Sequence, residues 1–69
     1  MDWKKLTEQL LAMYEESPLQ CDMQITMLLS GPHRKKMRQE YMKFLTGNDL
    51  PISKCGVTTL TKEILNYKL

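Results

Sequence analysis

Three features of the sequence predict an all-α fold. Apolar residues recur at three- and four-residue spacing in separate segments, helix-breaking residues stand between those segments, and the one alternating run has no second run to pair with. The expected architecture is a compact small helical domain of about four short helices, residues 1–69 forming a single unit, with a helix-turn-helix readable at the C-terminal end. At 69 residues the chain is near the size where one core is only marginally sufficient. Its 42% apolar and 26% charged content is that of a folding chain rather than a disordered one.

The first helix is predicted over residues 2–16. Trp3, Leu6, Leu10 and Met13 follow a 3-4-3 spacing, widened by Leu11 and Tyr14, while Lys4, Lys5, Glu8, Glu15 and Glu16 fall on the other side. Asp2 suits the N-cap, because its carboxylate can accept free first-turn N–H groups. Ser17-Pro18 stops this helix and can start the next, with Ser17 as cap, Pro18 at the first helical position and Gln20 completing a capping box. The residues that follow are ambiguous. Leu19, Cys21, Met23, Ile25 and Met27 alternate with Gln20, Asp22, Gln24 and Thr26, the period of a half-buried strand. A helix is still expected for about residues 18–29, since the cap is well formed, Met and Gln are poor strand residues, and a lone strand would need a partner.

Ser30-Gly31-Pro32 is the next break, and a third helix is expected over 32–46. Met37, Tyr41, Phe44 and Leu45 form its inner face, Lys36, Gln39 and Lys43 its outer stripe, and Gly47 its C-terminal stop. Asn48 to Pro51 reads as a turn and residues 51–55 as a short helical turn. After Gly56 a last helix runs over 57–67, with Val57, Leu60, Ile64 and Tyr67 on one face and Thr58, Thr59, Lys62 and Asn66 on the other.

The formal charge is only +2, too small to imply a nucleic-acid partner by itself. Its distribution is uneven. In residues 1–17 four carboxylates outnumber Lys4 and Lys5, whereas in residues 32–47 Arg34, Lys35, Lys36, Arg38 and Lys43 face Glu40 alone. Several of these cations fall in the first two turns of the third helix, where the positive end of the dipole disfavours each by roughly 0.3–1 kcal/mol. A phosphate or an acidic protein surface would relieve that strain.

The C-terminal segment extends the same idea. Pro51 to Cys55, Gly56 and the helix from Val57 can be read as a helix-turn-helix, with outward Thr58, Thr59, Lys62 and Asn66 of the types that reach bases or phosphates. Gly56-Val57-Thr58-Thr59-Leu60-Thr61-Lys62 resembles the turn and recognition-helix start of Trp-repressor-type DNA-binding proteins. That resemblance implies DNA binding as a dimer, with Thr58, Thr59 and Lys62 at the groove.

No catalytic, cofactor or metal motif stands in the sequence. His33 has no Asp or Cys at dyad spacing, and Cys21, Cys55 and Asp22 lack paired-ligand spacing. The glycines are dispersed, and a domain this small has little room for a water-excluding pocket. The chain is therefore expected not to be an enzyme and to use no cofactor, metal or small-molecule substrate. Cys21 and Cys55 read as free, buried thiols of a reducing compartment. With neither a signal peptide nor a membrane-length apolar run, the expected location is cytoplasmic, without a membrane. The methionines beyond Met1 are weighed first as core filler and second as an adaptable surface.

Two binding functions follow. The first is a nucleic-acid-binding, transcription-regulator-like module using Arg34, Lys35, Lys36, Arg38, Gln39 and Lys43 with Thr58, Thr59, Lys62 and Asn66. The second is an inhibitor or adaptor that docks through Trp3, Leu6, Leu10, Met13 and Tyr14 of the first helix, or through the Met-bearing second helix. Homodimerisation is expected if the first apolar stripe finds no cover within the chain.

Overall fold

A computed structural model describes residues 2–67, apart from the side chain of His33, so the expectation that this histidine is neither a ligand nor a dyad member lies outside the described residues. Four α-helices form in the expected order: α1 (Trp3–Glu16), α2 (Pro18–Leu29), α3 (Lys35–Thr46) and α4 (Val57–Asn66). Short 3-10 turns occupy Pro32–Arg34 and Ile52–Lys54, and no strand occurs among the described residues.

The helix ends are made by the residues that predicted them. Asp2 Oδ1 accepts the Lys5 N–H at 3.0 Å, and the Ser17 hydroxyl accepts from Gln20 N–H at 3.4 Å with Pro18 at the first helical position. Gly47 closes α3 at φ +74°, and its N–H bonds the Lys43 carbonyl. Gly31 adopts φ +103°, a conformation L side chains rarely enter, and there the chain leaves α2. The expected third helix is shorter than 32–46, because Pro32, His33 and Arg34 wind as a 3-10 turn and α3 begins at Lys35. The short element expected at 51–55 is likewise a single 3-10 turn. Cys55 closes it, its N–H bonding Ile52 C=O at 3.0 Å and its thiol pointing to Pro51 C=O at 3.4 Å.

Leu10, Cys21, Ile25, Leu29, Tyr41, Met42, Cys55, Leu60 and Ile64 make the core. Cys21 and Cys55 are buried free thiols, and Cys21 donates to the Leu10 carbonyl at 3.2 Å across the α1–α2 hairpin. The inner face of α3 departs from expectation. Met42 is fully buried beside Tyr41, whereas Met37, Phe44 and Leu45 are only half-buried at its margin.

The polar centre of this core is Thr7, a residue the spacing argument passed over. Thr7 Oγ1 donates to the Trp3 carbonyl at 2.7 Å and also pairs with the Tyr41 hydroxyl, both side chains being fully buried. A threonine hydroxyl has one proton to give, so Tyr41 is the donor to Thr7. Trp3 stacks on the Tyr41 ring at 4.8 Å and 15°, and Phe44 and Tyr67 continue the aromatic chain at 6.3 and 5.4 Å. Such pairs add roughly 0.5–1.5 kcal/mol beyond area burial. They tie α1, α3 and the end of α4 together.

Tyr41→Phe should therefore cost about 1–2 kcal/mol in urea denaturation, since it leaves the Thr7 oxygen buried without its donor. Burial is the main cause that raises the Tyr41 phenol above its ordinary value; the Thr7 bond works against it, and Cys21 and Tyr67 add to it. Burial, with Asp22 beside it, raises the Cys21 thiol in the same way. Folding then holds protons that the unfolded chain releases at about pH 8.5 and 10, so these contributions are complete below those values and are lost as pH rises past them. The part lost above about pH 10 should be absent in Tyr41→Phe, read as denaturation midpoint against pH.

Candidate functional site

The cations of residues 34–43 do not form one free surface. Arg34 turns back onto α2, its Nη1 donating to the Met27 and Leu28 carbonyls at 2.8 and 2.5 Å. Those carbonyls belong to the last turn of α2, where acceptors lack intrahelical donors and the dipole is negative. Arg34 also lines an apolar cleft of about 310 Å³ with Leu6, Leu28, Leu29 and Met37. Gln39 is half-buried and donates its amide to the Leu50 carbonyl at 2.8 Å, fastening the 47–51 connection to α3. Arg38 is half-buried too, and its Nε is enclosed without a partner among the described residues. Of the basic set, Lys35, Lys36 and Lys43 stand exposed on α3, and Thr58, Thr59, Lys62 and Asn66 stand exposed on α4. Gln39 thus leaves the outer stripe expected of Lys36, Gln39 and Lys43.

This placement changes the electrostatic argument for an external anion. With α3 starting at Lys35, its first turn holds Lys35, Lys36 and Arg38, no acidic residue and no side-chain cap. Yet Arg34, the cation just before that turn, is bonded to the last-turn carbonyls of α2. The negative end of the α2 dipole thus takes up one cation of the run. Part of the anion the sequence called for is supplied by the chain itself.

The first-helix stripe is also largely consumed. Leu10 is fully buried, Trp3 stacks on Tyr41, and Leu6 and Met13 are half-buried against the core, leaving Tyr14 at 38% exposure. The outer face of α2 is different. Leu19, Met23 and Met27 are 70, 55 and 68% exposed. Their i, i+4, i+8 spacing sets them in one line along the helix. A cleft of about 250 Å³ runs beside them, lined by Met13, Gln20, Met23, Gln24 and Met27. On α2 itself only Asp22 is charged.

The signal for this stripe was present in the sequence as the alternation of residues 19–27. Two residues along an α-helix turn the side chain through about 200°, so an alternating pattern gives a helix two opposite apolar faces. Cys21, Ile25 and Leu29 take the inner one and Leu19, Met23 and Met27 the outer. The outer face is the candidate functional site.

Among the described residues no group of three or more His, Cys, Asp or Glu side chains could hold a metal ion, and no helix is long and apolar enough to cross a membrane. Comparison with known protein families, with curated proteins and with solved structures finds no match.

Arg34→Ala should uncap α2 and lower stability by about 1–2 kcal/mol, while Lys35→Ala and Lys36→Ala should stay within about 0.5 kcal/mol of the parent. Urea denaturation of the three variants side by side checks this; equal effects would remove the distinction between Arg34 and its neighbours.

Proposed function

We propose that this chain is a non-enzymatic protein–protein interaction module, of the inhibitor or adaptor kind, that docks through the outer face of α2. The observation that carries the reading is the exposure of Leu19, Met23 and Met27 in one uncharged line. Each such side chain forfeits up to about 1.5–3 kcal/mol of transfer free energy while left in water. An amphipathic helix presents anchors to a groove at this kind of i, i+4, i+8 spacing. Two of the three are methionines, unbranched and polarizable, which adapt to an irregular apolar surface better than Leu or Ile. The first-helix residues Trp3, Leu6, Leu10 and Met13 are less suited to the task because their faces already serve the core.

A second reading keeps the nucleic-acid partner. It is favoured by the exposure of Lys35, Lys36 and Lys43 on α3 and of Thr58, Thr59, Lys62 and Asn66 on α4, helices that pack against each other. It is weakened by the diversion of Arg34 and Gln39 into the fold and by the reduction of the Pro51–Cys55 limb to one 3-10 turn.

Salt separates the two. Tagged chain mixed with an extract of its source cells, supplemented with untagged chain, should retain protein at about 1 M salt, where exposed charges are screened within roughly 3 Å. The variant Leu19→Ser, Met23→Ser, Met27→Ser should lose that material. Retention of nothing by a parent chain that also stays monomeric would sink the docking reading. Material that elutes steeply between about 0.1 and 0.5 M salt, indifferent to the triple substitution, would favour the nucleic-acid reading.

A further inference from the structure

We infer that the occupant of the α2 stripe is a second copy of this chain, its α2 lying antiparallel across the first with the two-fold axis at Met23. The inference rests on the docking reading above and names its partner.

The first argument is spacing. Leu19 and Met27 lie four residues to either side of Met23, so the spacing of the stripe is the same from both ends and every position is apolar. In an antiparallel pair Leu19 meets the partner's Met27, Met23 meets the partner's Met23, and Met27 meets the partner's Leu19. A two-fold contact requires this self-complementarity, in which the same patch serves on both copies.

Charge gives the second argument. Glu15 and Glu16, both exposed, close α1 and stand at the amino end of α2. Lys35 and Lys36, both exposed, follow Arg34, which is bonded to the carbonyls at the carboxyl end of α2. An antiparallel partner brings its basic end to the acidic end of the first copy, and the reverse holds at the other end. A parallel partner would set like charges together at both ends, which disfavours that register. Between the ends α2 carries only Asp22, so no cation or anion interrupts the apolar line.

Size is the third. A standard interface buries about 800 Å² on each side. Three side chains do not supply that, but the adjoining cleft with Met13, Gln20 and Gln24 extends the patch across the α1–α2 hairpin. The two Asp22 carboxylates fall on the same edge of the pair and oppose it, which places the contact among weak, reversible dimers.

Sedimentation equilibrium of the purified full chain from about 1 μM to 1 mM tests this. The expected result is a shift from 8.1 kDa toward twice that mass with rising concentration. Met23→Glu should weaken association at least about tenfold while leaving the helical circular dichroism unchanged, since Met23 is an exposed residue at the centre of the contact. Glu16→Lys should weaken it as well, and Lys35→Glu in the same chain should restore it. Under mild oxidation Met23→Cys should give a disulfide-linked dimer. The parent chain should not, because Cys21 and Cys55 are buried.

A chain that stays monomeric throughout overturns self-pairing. So does a dimer indifferent to Met23→Glu, or a Met23→Cys variant that fails to cross-link. A monomeric parent that still captures protein at high salt through the stripe removes this inference alone. A monomeric parent that captures nothing removes the docking reading with it.

Discussion

A step of two residues along an α-helix turns the side chain through about 200°, and α2 is built on that step. Its inner face, Cys21, Ile25 and Leu29, is fully buried, and the helix packs against all three of its fellows. The other helices in turn complete a core that a chain of 69 residues could scarcely build around a helix with one apolar stripe set differently. The outer face, Leu19, Met23 and Met27, is the unavoidable counterpart of the same alternation, unless those positions are made polar. They are not. The residues that make the fold and the residues offered to a partner thus share one twelve-residue segment and differ only by an offset of two positions.

Arg34 links this helix to the next. Its guanidinium satisfies the last-turn carbonyls of Met27 and Leu28, so α2 ends on a charged donor rather than on water. The same residue stands immediately before α3, whose first turn is cationic and uncapped. Neither terminus is well made by itself. Arg34 joins them, since the acceptors left over by α2 take up one cation of the run that leads into α3. This is a local, internal reason for Arg34, which composition alone would assign to a ligand.

Helix number and order, and every helix end but the start of α3, were legible in the sequence because they depend on nearby residues. Asp2, Ser17-Pro18 and Gly47 act within a few positions of themselves, and each works in the structure as its chemistry implies. The final helix face was legible for the same reason, with Leu60 and Ile64 buried and Thr58, Thr59, Lys62 and Asn66 exposed. What could not be read were long-range commitments. Thr7 is short and polar, and nothing near it announces that Tyr41 will cover it. Gln39 looks like a surface residue until the 47–51 connection folds back to present the Leu50 carbonyl. Met42 displaced Met37, Phe44 and Leu45 from the centre because the approach of neighbouring helices, not the period within α3, decides which residues are innermost. At the candidate site the alternating pattern was visible, yet its meaning needed proof that the segment is helical.

The bond between Thr7 and Tyr41 spans 34 residues, and this has a consequence for the order in which the chain can assemble during synthesis. A ribosome adding about 5–20 residues per second needs roughly two to seven seconds to make that stretch. A helix relaxes in about a microsecond or less. The Cys21 bond to the Leu10 carbonyl closes over only 11 residues and needs nothing beyond α2. The Thr7 hydroxyl, by contrast, cannot meet its buried donor until the chain has been made through Tyr41. The dry polar centre of the molecule is thus its late contact, and the α1–α2 pairing its local one.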